Sequence, residues 1–332
     1  MRAMVLDHPA PIDTAPLRLA DLPEPVPGAH MLRVRVEACG ICRTDLHVIE
    51  GDLPPVVPHI VPGHQIVGRV DEIGPAAERF PVGTRVGIAW LRETCGCCSR
   101  CVAGRENLCE RARFTGYHEN GGYAEYAIVH EDFAYPIPDG LAAAAATPLL
   151  CAGIIGFRAL RRAEIKPGCR LGLYGFGASA HIAIQIARHL GCEVYVMTRD
   201  DRHRSLAREL GAAWVAGATE RPPVALDSAI LFAPAGELVP HALAALDRGG
   251  TLALAGIHLT DIPPLIYERH LFYERQIRSV TANTRADGTE LLRLAAEIPL
   301  RPTTTSFPLS DANAALRQLK RDAIRGAGVL VL

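Results

Sequence analysis

Apolar and polar positions change rhythm once along this chain. In the first part they alternate in short bursts. Leu32-Arg33-Val34-Arg35-Val36 and Val67-Gly68-Arg69-Val70 put every second side chain on one face, with turn residues between the bursts. These predict half-exposed strands, short and irregularly spaced, in a mostly β, barrel-like lobe. From about Cys169 the rhythm becomes strand then helix. Arg170 to Tyr174 reads as a short buried strand and Gly175-Phe176-Gly177 as a turn. A helix follows over roughly Ala178 to Leu190, with Ile182, Ile186 and Leu190 four apart on one face. Gly191 ends it. Strand Glu193–Thr198, helix Arg202–Leu210, strand Ser228–Ala233, helix Glu237–Leu246 and strand Thr251–Ala255 continue the alternation. Such repetition predicts an α/β architecture with a doubly wound parallel sheet covered on both faces. After about Thr284 one or two helices precede a final apolar strand, Gly328 to Leu332. The predicted domains are 1–151, with a small lobe at about 90–112, then 152–284, and a stretch 285–332 that returns to the first.

At 332 residues the chain has ample core. Its 35 basic side chains nearly balance 36 acidic ones, which argues against nucleic acid or a membrane surface as partner. The longest apolar run, Leu141 to Phe157, is Ala- and Gly-rich and contains Thr147 and Pro148, so it reads as buried core and not as a membrane span. The start is broken by Asp7 and Pro9 before any secretory signal develops, and a cytoplasmic protein is expected.

Ten cysteines change the picture, because several are too tightly clustered for a disulfide framework. Cys95, Cys98, Cys101 and Cys109 follow the pattern C-x2-C-x2-C-x7-C. Four thiolates on one short loop can close a tetrahedral shell around a structural zinc. Cys97 lies inside the cluster but fits the spacing less well, and Cys39, Cys169 and Cys192 read as small core residues.

Cys39-Gly40-Ile41-Cys42-Arg43-Thr44-Asp45-Leu46-His47, then Gly63-His64, the four-cysteine lobe and Leu150-Cys151-Ala152-Gly153 occur in an order that resembles the zinc-dependent alcohol dehydrogenases of the medium-chain family. The resemblance spans essentially the whole chain and looks closest to yeast-type and cinnamyl-type bacterial members. It implies a Rossmann-type domain beside a catalytic domain. It also implies two zinc ions per subunit, a nicotinamide cofactor, a small alcohol or aldehyde substrate, and a homodimer or homotetramer. Cys42, His64 and Cys151 would ligate the catalytic zinc, a ligand set for which alcohol dehydrogenase is the standard example. Asp45 would accept a hydrogen bond from His64 and fix its tautomer. Thr44 and His47 would form a proton relay by way of the cofactor ribose, and Arg43 would contact the cofactor pyrophosphate.

Two positions depart from the family. Gln65 stands where Glu usually follows the ligating histidine, and Gly326-Ala327 stands where Gly-Arg often contacts the pyrophosphate, with Arg325 as its substitute. The stretch Gly172-Leu173-Tyr174-Gly175-Phe176-Gly177-Ala178 gives two imperfect readings of the dinucleotide fingerprint, starting at Gly172 or at Gly175. The acidic residue that NAD-specific relatives carry after the second strand falls on neutral Thr198, followed by Arg199, so NADP(H) is expected over NAD(H). A slip of one or two residues would move Asp200 or Asp201 there and restore NAD. By similarity Leu53 and Trp90 line the substrate pocket, and primary alcohols, aliphatic or aromatic, are the expected substrates. The alternative is a catalytically reduced, zinc-containing NADPH-binding regulatory protein of the same fold.

Overall fold

A computed structural model describes residues 1–332, which fall into two units, Met1–Cys151 with Ala282–Leu332, and Ala152–Thr281. The first is built on a seven-stranded sheet. Along it lie Thr304–Pro308, Ala327–Val331, Met31–Ile41, Gln65–Ile73, Arg85–Ile88 and Ala134–Pro136, with Tyr126–His130 also paired to Met31–Ile41. All neighbours are antiparallel except the first two strands. Strand Met31–Ile41 shows why the alternation is legible at one end only. Leu32, Val34 and Val36 are buried between half-exposed or exposed neighbours, whereas Ala38, Cys39, Gly40 and Ile41 are all buried. The strand is covered on both faces as it nears Cys42.

The second unit holds a six-stranded, wholly parallel sheet. Its strands lie in the order Trp214–Ala216, Glu193–Met197, Arg170–Tyr174, Leu226–Leu231, Leu246–Leu254 and Gln276–Ser279. Numbered by chain position this is 3-2-1-4-5-6, the doubly wound dinucleotide-binding order. Two of the six, Trp214–Ala216 and Gln276–Ser279, carry too few residues to show a period in sequence. Leu226–Leu231 stops two residues short of the expected Ala233, because the amides of Phe232 and Ala233 both donate to the Tyr174 carbonyl. No single helix is long and apolar enough to cross a membrane, and the Leu141–Phe157 run is interrupted at Cys151.

One half-buried ion pair ties the cysteine lobe to its support. Glu106, in the short turn Glu106–Leu108 just before Cys109, accepts the Arg285 amide at 2.7 Å and the guanidinium at 2.8 to 3.1 Å. Arg285 opens the helix Arg285–Glu297, whose first turn is closed by Thr284 and Asp287 in a capping box. Burial pushes the Glu106 carboxyl up, but the bonds from Arg285 outweigh it and hold its pKa below the ordinary value. A depressed carboxyl stabilises the fold above its unfolded pKa of about 4.3, and that contribution is lost as pH falls. Glu106→Gln should therefore cost about 2 kcal/mol near neutrality. The gap from wild type should close as urea unfolding is repeated below about pH 4. A gap that stays constant well below that pH would show that the charge of Glu106 contributes nothing.

Candidate functional site

The sheet register brings the first two donors together. Gly40 lies opposite Gln65 in the antiparallel pair, so the residue after one strand, Cys42, faces the residue before the other, His64. Gly63 makes that approach possible. It holds φ at +96°, and a Cβ there would sit 2.3 Å from the Tyr123 ring. Cys151 arrives from the short helical turn Thr147–Leu150, anchored where Leu150 fills the space above Gly87.

The Cys42 sulfur stands 3.5 Å from His64 Nε2 and 4.0 Å from the Cys151 sulfur, with all three donor atoms within 4.8 Å of one another. Tetrahedral zinc with bonds of ~2.3 Å to sulfur and ~2.0 Å to nitrogen separates sulfur from sulfur by about 3.8 Å and sulfur from nitrogen by about 3.5 Å. The residues fit that ion. Three donors leave one position for another ligand, which is the pattern of catalytic sites.

A single carboxylate organises two of the donors. Asp45 Oδ2 accepts the Cys42 amide at 2.8 Å, closing the first turn of the helix Arg43–Glu50, while Oδ1 pairs with His64 Nδ1 at 2.9 Å. The imidazole is thereby turned with Nε2 towards the sulfurs. Burial pulls the His64 pKa down, but Asp45 and Cys42 together raise it to about 10. The facing Cys151 thiol, with His64 and the Thr44 hydroxyl, holds Cys42 well below the ordinary thiol range, while that same contact pushes Cys151 up. Metal binding releases the remaining protons, so uptake should strengthen as pH rises.

Thr44 and His47 are three residues apart on the same helix and share a face. Thr44 is buried, whereas His47 is part-exposed and its Nδ1 lies 2.8 Å from Asp52. Arg43 pairs with Asp322 at 2.5 Å. Trp90 meets the His64 ring edge-on at 5.0 Å and stacks on Phe114 at 4.9 Å and Tyr117 at 6.1 Å, and the Tyr117 hydroxyl donates to the Pro54 carbonyl. Leu53 donates its amide to the His47 carbonyl. Phe114, Tyr117 and Asp52 escaped the sequence reading, since nothing in their spacing sets them apart from ordinary loop residues.

Gln65 is buried, and its side-chain amide nitrogen has no hydrogen-bond partner. The donors Cys42, His64 and Cys151 come together without a carboxylate at this position. Gln65→Glu should therefore change kcat/KM by less than about tenfold. A gain of several orders of magnitude would mark the natural residue as crippling.

In the lobe, sulfur separations are 3.5 Å for Cys98–Cys101, 3.5 Å for Cys95–Cys109 and 3.8 Å for Cys95–Cys101. These again match tetrahedral edges. The Cys98 amide donates to the Cys95 sulfur and the Cys95 amide to the Cys109 sulfur. Such bonds, the Cys98 amide first, lower the Cys95 pKa to about 5. Cys97 is exposed, with its sulfur against Arg111 and outside the group.

In the second unit Gly175, Gly177, Ala178, Thr198 and Arg199 gather past the carboxyl ends of neighbouring strands Arg170–Tyr174 and Glu193–Met197. Gly175 has φ of +85°, and a Cβ there would press on the Ala233 backbone. Gly177 precedes the helix Ala178–His189, no side chain caps that helix, and a Cβ on Gly177 would meet open space. A bare helix N-terminus with room before it suits a pyrophosphate. Gly172 lies inside the strand, where a Cβ would run into Leu226 at 2.5 Å, so its smallness serves packing there. Thr198 is buried and its carbonyl accepts Arg204, while Arg199 is exposed. Asp200 pairs with Arg202, and Asp201 with Arg204.

Comparison with known proteins finds two family models. One, described as an alcohol dehydrogenase GroES-like domain, matches residues 28–139, and the other, a zinc-binding dehydrogenase, matches residues 180–297. The chain is 54% identical to a probable alcohol dehydrogenase of Mycobacterium tuberculosis, over 100% of its own length and 97% of the relative's. It is 34% identical to an alcohol dehydrogenase of Geobacillus stearothermophilus, over 95% and 96% of the two chains. Its fold superposes on a cobalt- and zinc-bound thermostable alcohol dehydrogenase from Pyrobaculum aerophilum with a TM-score of 0.91, at 26% identity, covering 100% and 99% of the chains.

Proposed function

The chain belongs to the zinc-type medium-chain alcohol dehydrogenases, and from that premise we propose that it interconverts primary alcohols and their aldehydes with NADP(H) as the preferred cofactor. The observation that carries this reading is the meeting of Cys42, His64 and Cys151 under the edge of Trp90. When bound, zinc supplies a Lewis acid that makes an alcohol oxygen easier to ionise, and the nicotinamide supplies the hydride acceptor. Cys42, His64 and Cys151 hold the metal, and Asp45 keeps His64 Nδ1 occupied so that Nε2 is the donor. Thr44 Oγ1 takes the proton from the alcohol, and His47, on the same helix face, passes it to solvent. Asp52 at Nδ1 holds the His47 ring in place. Trp90 with Phe114 and Tyr117 supplies an aromatic wall that excludes water and favours apolar or aromatic substituents. A regulatory protein without turnover would have no use for a complete donor triad beside Thr44 and His47.

The preference for NADP(H) is supported by neutral Thr198 just past the strand, by Arg199 next to it, and by the engagement of Asp200 and Asp201 with their own arginines. A guanidinium at that place can grip a 2′-phosphate with two charge-assisted bonds. We also infer a dimer or tetramer. Ile266, Tyr267, Phe272 and Tyr273 are exposed beside the edge strand Gln276–Ser279, a surface that favours association.

A panel of primary and secondary alcohols, assayed with both cofactors, tests the reading. Wild type should favour primary alcohols and NADP(H), and Arg199→Ala should lower the NADP(H)-to-NAD(H) ratio of kcat/KM by about tenfold or more. Preference for NAD(H), or a ratio that Arg199→Ala leaves in place, would overturn the cofactor assignment.

A further inference from the structure

Two cysteines outside both metal clusters also lie close together. Cys169 and Cys192 are 23 residues apart in sequence, yet their sulfurs stand 3.0 Å apart, against 3.5 to 4.0 Å between the clustered sulfurs. Strand register explains the approach. Arg170 lies opposite Glu193 in parallel neighbours, so the residues just before them, Cys169 and Cys192, enter the sheet side by side. The backbones there are already clamped: Gly168 donates to the Gly191 carbonyl at 3.0 Å, and Glu193 to the Cys169 carbonyl at 2.8 Å. Neighbouring strands run about 4.8 Å apart, within the ~4.4–6.8 Å that a disulfide spans between Cα atoms. Only the sulfurs need to move.

We propose that Cys169 and Cys192 form a reversible redox site, taking hydrogen peroxide as its oxidant and closing to a disulfide. Cys169 is the attacking residue. It borders a cavity of about 390 Å³ lined also by Lys166, Gly168, Asp227 and Gly249, through which a small oxidant reaches it. The two sulfurs share a hydrogen bond, and the contact with Cys192, then the Lys166 backbone, bring the Cys169 pKa to about 7 against the effect of burial, so thiolate is present near neutrality. The thiolate attacks one peroxide oxygen, the O–O bond breaks, and with one proton taken up a sulfenic acid and a water result. The Cys192 sulfur then attacks the Cys169 sulfur, the S–O bond breaks, the S–S bond forms, and a second water carries away the hydroxyl and the thiol proton. Two thiols are oxidised by two electrons and one peroxide is reduced to two waters. Neither zinc ligand set takes part.

The test uses zinc-loaded enzyme treated with stoichiometric hydrogen peroxide, followed by peptide mapping without reductant and by metal analysis. The expected result is a link between the peptides carrying Cys169 and Cys192, reversed by dithiothreitol, with bound zinc unchanged. In Cys192→Ser the resolving thiol is gone, and Cys169 should become trappable by dimedone, which labels sulfenic acid. Oxidation of zinc-ligand cysteines with loss of metal before the link appears would overturn the proposal. So would a Cys169–Cys192 pair that remains reduced when the peroxide has been consumed.

Discussion

Replacing Cys42 by alanine should lower kcat/KM by at least about a thousandfold while leaving the fold in place. Three donors converge at the site, and two sulfur or nitrogen ligands alone do not hold zinc against water at useful affinity. The Lewis acid contributes several kcal/mol to the reaction, and each 1.36 kcal/mol is about tenfold in rate. The backbone should tolerate the change, because the Asp45 carboxylate still accepts the Cys42 amide and keeps the first turn of the Arg43–Glu50 helix closed. Metal analysis should find one zinc per subunit in place of two, and far-ultraviolet circular dichroism should match wild type. Turnover above about a tenth of wild type would remove Cys42 from the metal centre.

The four-cysteine lobe should respond to substitution in the opposite way. From Thr94 to Ala112 only Glu106, Asn107 and Cys109 are buried, and Val102 and Leu108 lie open to solvent. With so little apolar surface covered, metal and the Glu106–Arg285 pair must order the lobe. Cys98→Ser should lose one zinc and lower global stability by about 3 kcal/mol or more. The apparent melting temperature should fall by at least about 5 °C. Enzyme that stays folded should keep kcat within about threefold of wild type, since Cys98 touches nothing in the Cys42 centre. Full zinc content with an unchanged melting temperature would show that the lobe binds no structural metal.

What the sequence discloses follows from how local each feature is. The four lobe cysteines share one loop, so their spacing alone points to metal. The strand–helix rhythm from Arg170 onward is local too, and it is observed as an all-parallel sheet. Cys42, His64 and Cys151 are legible only through resemblance, because what joins them is strand register and the seat of Leu150 over Gly87. Pairing across strands stays hidden. Cys169 and Cys192 read as separate core thiols until the parallel register sets them side by side. Gly172 looks like part of a phosphate loop in a linear reading, and only the Leu226 side chain above it reveals a packing constraint. Asp45 reads as a partner of His64, while its second bond to the Cys42 amide belongs to helix geometry.

The two groups of metal donors also differ in when a growing chain can build them. The lobe ligands lie within 14 positions of one another, so its sulfurs can meet soon after that short loop leaves the ribosome. Cys42 and Cys151 are separated by 109 positions, and the strand that presents Cys42 is flanked by Ala327–Val331, among the last residues to be synthesised. Until then Met31–Ile41 stands as an open sheet edge on that side, while Ala152–Thr281, an uninterrupted stretch, has already emerged. Long-range closure of this kind is slow. Along the growing chain the lobe's four donors are therefore complete once Cys109 has been made, and the second group only once Cys151 has, while the sheet that presents Cys42 gains its last neighbour at the very end.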